Sequence, residues 1–285
     1  MKVFVLTHFK DLGLAAPLTR AVTREGYTTP TPIQEQVIPA MLADRDILGI
    51  AQTGTGKTAA FVLPILHRLA AQKIRIQPKS ATALIVTPTR ELAGQIANNI
   101  RIYGKELRPS IAVVVGGVKP GPQVRQMAGG VDILVATPGR LLDHLDSGAV
   151  RLDNTDIVVL DEADQMMDLG FLKPVRRIMS AVSANRQTVL MSATMPKQIR
   201  ALASDFLSDP AEISVAPAGR PIERINQSVM HVRTADKRRV LTALLTREKF
   251  DRTIVFTRTK HGADKVTKVL GQAGLNAAAI HGNKS

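Results

Sequence analysis

The sequence contains no cysteine and no tryptophan. Without cysteine the chain cannot form disulfides or thiolate metal sites, and this composition fits a reducing compartment. No run approaches the ~18 to 20 uncharged apolar residues that a transmembrane helix needs. The apolar start at residues 1–6 is too short for a signal peptide. The sequence therefore predicts a cytoplasmic protein with no membrane partner.

Acidic residues are scarce relative to basic ones. The chain has 38 Lys and Arg residues against 24 Asp and Glu residues, which gives a formal net charge of +14. Residues 211–285 hold 14 of the basic side chains and only 6 of the acidic ones. Because phosphates favour clustered Lys and Arg through counterion release, this excess indicates a polyanionic partner. A basic surface without any specific partner is the alternative.

A glycine-rich stretch at residues 51–58, AQTGTGKT, lies between an apolar run and a helix-forming run. A loop at such a junction lets backbone N–H groups surround a phosphate at the positive end of a helix. In that geometry Lys57 reaches the β- and γ-phosphates, and the Thr58 hydroxyl binds Mg²⁺. Only Gly56 and the two residues after it match the usual pattern, because Ala51 replaces its first glycine. Taken alone, the motif leaves a chance match open.

Short β-branched apolar runs alternate with helix-like segments over the first two hundred residues of a chain long enough for about two domains. Strands are predicted at residues 47–50, 82–86, 111–115, 133–136, 157–160 and 188–191, and helices at residues 9–25, 32–41, 59–71, 90–103, 139–145, 172–182 and 197–206. Nearly continuous apolar strands are typical of a parallel sheet with helices on both faces. Functional side chains of such an α/β fold gather at the carboxyl ends of the strands.

Two carboxylates, Asp161 and Glu162, directly follow the predicted strand at residues 157–160. An Asp at a strand end can hold Mg²⁺, and a neighbouring carboxylate can polarise an attacking water, as nucleotide triphosphatases require. About one hundred residues separate the pair from Lys57, so a sheet can bring both strand ends together. An acidic turn is the alternative for the pair alone, but the two motifs together predict a nucleotide triphosphatase.

With these residues the chain resembles the DEAD-box RNA helicases, and most closely the bacterial RhlE-type branch. Eight motifs carry the resemblance in order along residues 9–194. They are Phe9 with Gly26-Tyr27, Pro30-Thr31-Pro32-Ile33-Gln34, residues 51–58, Pro88-Thr89-Arg90-Glu91-Leu92, Gly116-Gly117, Thr137-Pro138-Gly139-Arg140, Asp161-Glu162-Ala163-Asp164 and Ser192-Ala193-Thr194. The resemblance implies a RecA-like P-loop NTPase fold and an RNA-stimulated ATPase that unwinds or remodels RNA.

The resemblance also implies a nucleotide site with ATP and Mg²⁺ as cofactors. Phe9 would stack on adenine, and Gln34 would read the edge of the base. The phosphates would lie on Ala51, Gln52, Thr53, Gly54, Thr55, Gly56, Lys57 and Thr58. Thr58 and Asp161 would hold the Mg²⁺ ion.

The resemblance also implies a group of catalytic residues. This group consists of Lys57, Asp161, Glu162, Ser192 and Thr194. Glu162 would activate the attacking water. Ser192 and Thr194 would hydrogen-bond toward Asp164 and so couple hydrolysis to closure of two lobes.

The resemblance places single-stranded RNA on three other motifs. The implied RNA-binding residues are Thr89, Arg90, Gly116, Gly117, Thr137, Pro138, Gly139 and Arg140. Glycines permit close approach of the RNA backbone, and guanidinium groups bind phosphate without reading sequence. Taken singly, Arg90 or Arg140 fits a salt-bridged surface residue equally well. The resemblance also suggests ribosome-assembly or RNA-decay proteins as partners.

Residues 1–210 are predicted to form the N-terminal RecA-like ATP-binding lobe with the Q motif, followed by a loop-rich linker at residues 211–224. Residues 225–285 restart the alternation and resemble the opening of a second RecA-like lobe. Strands are predicted there at residues 227–232, 253–257 and 276–280, and helices at residues 236–247 and 262–272.

The family's later motifs do not occur before Ser285. They include arginine fingers that are worth roughly 10³ to 10⁵ in rate, so we expect a truncated form with little activity of its own. The first hypothesis is an ATP-dependent RNA helicase with one complete lobe and part of the second. The second hypothesis is an ATP- and RNA-binding fragment without useful catalysis. A DNA translocase is disfavoured, because the motifs resemble those of RNA-remodelling enzymes.

Overall fold

The computed structural model describes residues 8–71, 76–215, 226, 228–247 and 250–284. The chain divides into two compact units, residues 1–219 and residues 220–285. Most of the predicted linker, residues 216–224, lies outside the described residues, as do Gln227 and Ser285. No helix in the described part of the chain is long and apolar enough to cross a membrane.

The first unit is an alternation of helices and strands. It begins with a 3-10 helix at Phe9–Leu12. Its α-helices are α1 (Ala16–Arg24), α2 (Pro32–Leu42), α3 (Lys57–Ala71), α4 (Arg90–Tyr103), α5 (Pro120–Met127), α6 (Pro138–Asp146), α7 (Ala163–Asp168), α8 (Leu172–Ala181) and α9 (Lys197–Phe206). Its strands are β1 (Ile47–Ile50), β2 (Ala81–Val86), β3 (Ile111–Val114), β4 (Val131–Ala136), β5 (Ile157–Leu160), β6 (Gln187–Ser192) and β7 (Ala211–Ser214).

The strands form one sheet in the order β3-β4-β2-β5-β6-β1-β7. All six strand pairings among the described residues are parallel. The central strands β2, β5 and β6 are buried along their whole length. Because side chains alternate along a strand, Ala83 and Ile85 enter one hydrophobic cluster while Leu84 and Val86 enter another.

Helices cover each face of the sheet. One cluster receives side chains from α1 to α4, including Leu18, Ile33 and Phe61. The other receives side chains from α5 to α9, including Leu141 and Ile178. The prediction of a parallel sheet with helices on both faces is therefore confirmed, and its two-sided burial explains the continuous apolar strands.

Several boundaries differ from those predicted. Residues 211–214, expected to begin the linker, form the edge strand β7, which pairs with β1 through register partners such as Gly49 and Ile213. Only Ile213 of this strand is fully buried, so its pattern lacks the apolar run that marks the other strands. The helix predicted at residues 9–25 is interrupted at Gly13, whose φ of 77° is left-handed. Helices α5 and α7 were also not predicted.

The second unit contains α10 (Lys237–Arg247) and α11 (Lys260–Gln272). The strands predicted at residues 227–232, 253–257 and 276–280 do not form in the described residues of this unit. Ile254 is 81% exposed, Phe256 91% and Ile280 94%. A parallel strand depends on hydrogen bonds to neighbouring strands, so apolar, β-branched composition alone does not produce one.

Candidate nucleotide and RNA site

The strand order divides the carboxyl edge of the sheet into two neighbouring halves. The loops that follow β1, β5 and β6 carry the predicted phosphate-binding and catalytic residues, and these strands are adjacent. The loops that follow β2, β3 and β4 carry the residues predicted to bind RNA, and these strands are also adjacent. Because every strand pair is parallel, all six loops open at the same edge. The fold thus gathers the residues of these six loops at one edge, whereas Phe9 and Gln34 lie outside the loops.

The phosphate loop connects β1 to α3. Ala51 at its start is buried, and its N–H donates to the Ser192 carbonyl oxygen at 3.0 Å. Gly54 and Gly56 have φ values of +82° and +88°, which is the left-handed region that favours glycine. A side chain at Gly56 would also overlap the Gln34 amide. The loop therefore needs glycine at positions 54 and 56, whereas position 51 needs only a small side chain that can be buried.

Lys57 is the first residue of α3 and is 6% exposed. Its Nζ donates to the Ala51 carbonyl oxygen at 2.8 Å. The side chain therefore reaches back to the start of the phosphate loop. A cavity of about 470 Å³ lies there, lined by Lys57 and Thr58 together with Asp161 and Glu162.

The carboxylates stand at the end of β5. Asp161 is 2% exposed, and its Oδ1 accepts the Glu162 N–H at 3.0 Å. Burial raises the pKa of Asp161 to about 6, although the charge of Lys57 works in the opposite direction. Glu162 has φ 53° and ψ 52° at the start of α7. A left-handed backbone is costly for a residue other than glycine and is often retained at functional sites.

The donor set fits Mg²⁺. This ion binds few protein carboxylates and keeps water and phosphate oxygens as its other ligands. Thr58 and Asp161 line the same cavity, and they offer one hydroxyl and one carboxylate. The described residues contain no group of three or more His, Cys, Asp or Glu side chains that could hold a metal. The fit to Mg²⁺ rests on this one hydroxyl and one carboxylate, which leave the other positions to water and phosphate oxygens.

The loop after β6 is tied to α7. The Thr194 hydroxyl and the Thr194 N–H both donate to Asp164 Oδ2, at 2.8 and 2.9 Å. Ser192 is fully buried, and its Oγ donates to the Thr194 carbonyl oxygen at 2.7 Å. Partial burial opposes ionisation of Asp164, but the hydrogen bonds from Thr194 lower its pKa overall. The predicted connection from Thr194 to Asp164 is present, and Ser192 supports the turn that makes it.

Gln34 lies buried at the start of α2, against the phosphate loop. Its Oε1 accepts the Thr31 N–H at 2.9 Å, and its Nε2 donates to the Gly56 carbonyl oxygen at 3.1 Å. The first bond belongs to a capping box that begins the helix. Both polar atoms of the amide therefore have protein partners. An adenine edge would have to share or replace these bonds.

Phe9 does not reach the cavity. Its side chain is 4% exposed and belongs to the hydrophobic cluster that includes Leu12 and Leu18. Among the described residues that line the cavity, the aromatic ones are Tyr27 and Tyr103. Tyr27 is 45% exposed, so its ring is open to a ligand in a way that the ring of Phe9 is not.

Sequence reasoning missed the wall of the cavity that α4 forms. Gln95, Asn99 and Tyr103 line the cavity at four-residue intervals, which places them on one face of the helix. The Tyr103 ring meets that of Tyr27 edge-on, with centroids 6.4 Å apart. Burial and the contact with Tyr27 raise the pKa of Tyr103 above its ordinary value. The regular polar spacing on a predicted helix is the signal that could have revealed this wall.

In the half predicted to bind RNA, α4 begins beside the loop that follows β3. Thr89 is the N-cap of α4, and its Oγ1 accepts the Leu92 N–H at 3.2 Å. The guanidinium of Arg90 packs against Gly117, where any side chain would overlap it. Gly117 has a φ of +73°, and Gly116 precedes it in open space. The structure therefore places these predicted residues at one point of the edge.

Thr137, Pro138, Gly139 and Arg140 start α6 beside the same loop. The Thr137 N–H donates to the Val114 carbonyl oxygen at 3.0 Å. The Arg140 side chain is only 15% exposed, and its Nε lies 3.4 Å from a carboxylate oxygen of Asp143. Its Nη1 donates to the Val118 carbonyl oxygen at 2.9 Å. Arg140 is thus partly engaged within the protein rather than fully open to a phosphate.

The chain is similar in sequence to known helicases. The model of the DEAD/DEAH box helicase family matches residues 31–202. The ATP-dependent RNA helicase CshA of Limosilactobacillus reuteri is 41% identical over 275 residues, which cover 96% of this chain and 54% of that protein. The ATP-dependent RNA helicase DeaD of Escherichia coli K12 is 41% identical over 278 residues, covering 97% of this chain and 43% of that protein.

A solved structure is also similar. The DEAD box protein from the hyperthermophile Methanococcus jannaschii aligns with a TM-score of 0.67 and 35% identity, over 98% of this chain and 74% of that one. The chain spans about half the length of the curated relatives it matches. From the family match and the shared fold, the chain belongs to the DEAD/DEAH box helicase family.

Proposed function

We propose that the protein is an ATP-dependent RNA helicase, in which RNA-stimulated ATP hydrolysis drives local duplex unwinding or remodelling of RNA–protein complexes. One observation carries the proposal: Lys57, Thr58 and the carboxylate pair at the end of β5 line a single cavity beside the three loops that gather the glycines and arginines. Nucleotide and RNA would therefore bind to neighbouring halves of one edge.

In this proposal the triphosphate of ATP lies on the phosphate loop. The Lys57 ammonium would exchange its bond to the Ala51 carbonyl for the β- and γ-phosphates. Thr58 and Asp161 would hold Mg²⁺, which when bound supplies positive charge to the phosphate oxygens. Glu162 would orient the attacking water, as the family resemblance implies.

For the adenine base we propose a position between Gln34 and the half-exposed ring of Tyr27. An aromatic ring that is open on one face can stack on a base, whereas the ring of Phe9 is enclosed by core side chains. Stacking on Phe9 would require the first helical turn to move. We therefore favour Tyr27 for this role and keep Phe9 as the alternative from the sequence.

The proposed RNA partner is a single strand held through its backbone. The two glycines after β3 allow close approach, and Arg90 supplies a cation beside them. Contacts of this kind bind phosphate without reading bases. The bonds from Thr194 to Asp164 would transmit the state of the nucleotide from β5 to β6, the coupling that the resemblance implies.

Finer assignments remain our proposals. We place the protein in the cytoplasm, in the RhlE-type branch, with ribosome-assembly or RNA-decay proteins as partners. We also propose that the first unit is the ATP-binding lobe and that the second unit is part of a second RecA-like lobe. The second candidate function is an ATP- and RNA-binding fragment without useful catalysis. It is favoured by the second unit, in whose described residues the predicted strands do not form.

Variants of Lys57 and Glu162 test the proposed function. Lys57→Ala removes the cation that faces the β- and γ-phosphates, so ATP affinity should fall by a factor on the order of ten or more. Glu162→Gln keeps the shape of the side chain and should bind ATP as the wild type does, while hydrolysing it far more slowly. The measurements are nucleotide titration and steady-state ATP turnover with and without RNA. Glu212→Gln, on the exposed face of β7, is the matched control.

The outcomes separate the candidates. RNA-stimulated turnover that Glu162→Gln abolishes supports the helicase. Binding of ATP and RNA without turnover in the wild type supports the fragment instead. If Glu162→Gln loses ATP affinity as severely as Lys57→Ala, the two assigned roles are wrong.

A further inference from the structure

The loop that follows β3 is fastened at both ends by side chains of α5 and α6. Residues 115–119 form this loop, and Gly116 and Gly117 are its centre. The Val115 carbonyl oxygen accepts the Gln123 Nε2–H at 2.9 Å. The Val118 carbonyl oxygen accepts the Arg140 Nη1–H at 2.9 Å. The two glycines therefore lie between two fixed carbonyl groups.

Gln123 joins these attachments to each other. It is 5% exposed, and its Oε1 lies 3.1 Å from His144 Nε2 and 3.5 Å from Arg140 Nη1. A carbonyl oxygen can only accept, so the contact with Val115 fixes the Gln123 amide with its nitrogen toward the loop and its oxygen toward His144. His144 must then carry its hydrogen on Nε2.

His144 is buried on α6 one helical turn after Arg140, with 3% of its surface exposed. Burial lowers the pKa of His144, the charge of Arg140 acts in the same direction, and Asp143 opposes them. A neutral ring with its hydrogen on Nε2 satisfies the Gln123 oxygen without adding a second cation beside Arg140. Buried polar groups are costly when they lose a partner, so the members of this network hold one another in place.

From this network we infer that Gln123 and His144 are positioning residues for RNA binding. They touch neither RNA nor nucleotide; they hold the Gly116–Gly117 turn and the Arg140 guanidinium in the arrangement that a phosphate backbone meets. A glycine pair without such hydrogen bonds loses conformational entropy when it binds RNA. A loop whose conformation is already fixed avoids this entropic cost. The inference rests on the proposed function, because it needs this half of the edge to bind RNA.

The test uses the 285-residue chain and removes the attachment without removing bulk. Gln123→Met deletes all three hydrogen bonds of the amide at similar side-chain size. Gln126→Met is the matched control, because Gln126 is an exposed residue on the same helix whose Nε2 donates to a different carbonyl oxygen, that of Ile111, at 3.2 Å. His144→Leu removes the other partner of the amide, and His144→Gln restores a donor.

Three measurements are made on each variant: the Kd for a fluorescent ten-nucleotide oligouridylate, the Kd for ADP, and hydrogen exchange of the amides at residues 115–119. We expect Gln123→Met and His144→Leu to weaken RNA binding about tenfold. Exchange in the loop should rise, and the Kd for ADP should stay within about twofold of wild type. Gln126→Met should match wild type, and His144→Gln should recover part of the RNA affinity.

The inference is overturned if Gln123→Met and His144→Leu bind RNA as tightly as wild type does. It is also overturned if both variants lose ADP affinity together with RNA affinity, because the side chains would then stabilise the whole unit rather than one loop. A wild-type chain that binds ADP but no RNA would refute the proposed RNA site itself, and the inference with it.

Discussion

Asp161 and Asp164 lie three residues apart and respond to their surroundings in opposite ways. Asp161 is enclosed, so desolvation dominates and its pKa rises to about 6. Asp164 accepts two hydrogen bonds from Thr194, which lower its pKa despite partial burial. Lys57 offsets only part of the cost at Asp161. The carboxylate proposed to meet Mg²⁺ is thus the one that the protein alone stabilises poorly.

We expect Asp161→Asn to raise the free energy of unfolding of the metal-free protein at pH 7.5. The folded pKa of Asp161 lies above its ordinary value of 3.8, so the folded state takes up a proton between about pH 6 and pH 4, and the contribution of Asp161 to stability rises as pH falls through that range. The advantage of Asn should therefore disappear near pH 4. Urea unfolding in EDTA at both pH values measures it.

Asp164→Asn is the contrasting variant, because the pKa of Asp164 is shifted in the opposite direction from that of Asp161. Its lowered pKa contributes stability that is present above pH 3.8 and lost as pH falls below it, so this variant should be no more stable than wild type at pH 7.5. Equal or lower stability of Asp161→Asn at pH 7.5 would contradict the argument from desolvation.

At the scale of elements, two glycines show how a strand and a helix constrain the same residue type differently. Gly49 in β1 stands opposite Met191 in β6, and a Cβ at Gly49 would overlap the Met191 thioether. Gly94 in α4 is exposed, and nothing lies within 4 Å of where its Cβ would be. Backbone freedom explains neither position, because both have negative φ values.

We expect Gly49→Ala to lower the free energy of unfolding by about 1–3 kcal/mol, because the buried Met191 side chain must repack to admit the methyl group. Gly94→Ala should raise it by about 0.5–1 kcal/mol, because alanine loses less backbone entropy in a helix. Chemical denaturation of both variants under one condition is the measurement. A destabilising Gly94→Ala, or a neutral Gly49→Ala, would contradict the packing described for these elements.

At the scale of the whole molecule, the charge is uneven along the chain. The net excess of basic residues is +6 over residues 1–210 and +8 over the much shorter segment 211–285. The basic side chains of α10, among them Lys237 and Arg238, are exposed. An excess distributed in this way attracts polyanions over a wide surface.

We therefore expect RNA binding to be electrostatic and indifferent to sequence. The logarithm of the affinity should fall linearly with the logarithm of the salt concentration, with a slope near −0.7 for each phosphate neutralised on a single strand. Anisotropy titrations of oligouridylate and of a mixed-sequence RNA of equal length, from about 50 to 300 mM KCl, measure it. A flat salt response, or a large difference between the two RNAs, would contradict this interpretation.

The sequence by itself determined the α/β sheet and the positions of its polar strand ends. Runs such as residues 157–160 and 188–191 are recognisable because a strand buried on both faces must be apolar throughout. The glycines of the phosphate loop and the pair Asp161 and Glu162 are recognisable because their chemistry depends on neighbours in the chain. Order along the chain also predicted that these loops would meet, since parallel strands end at one edge.

Only the tertiary structure decided which side chains are free to act. Phe9 and Arg140 match family motifs, yet one is packed in the core and the other bonds to the Val118 carbonyl. Edge strand β7 forms because β1 provides hydrogen-bond partners for it. The polar residues Gln95 and Asn99 line the cavity because the packing of α4 turns that face of the helix toward it. Burial, strand pairing and hydrogen-bond partners arise between residues far apart in the chain, so local sequence patterns do not contain them.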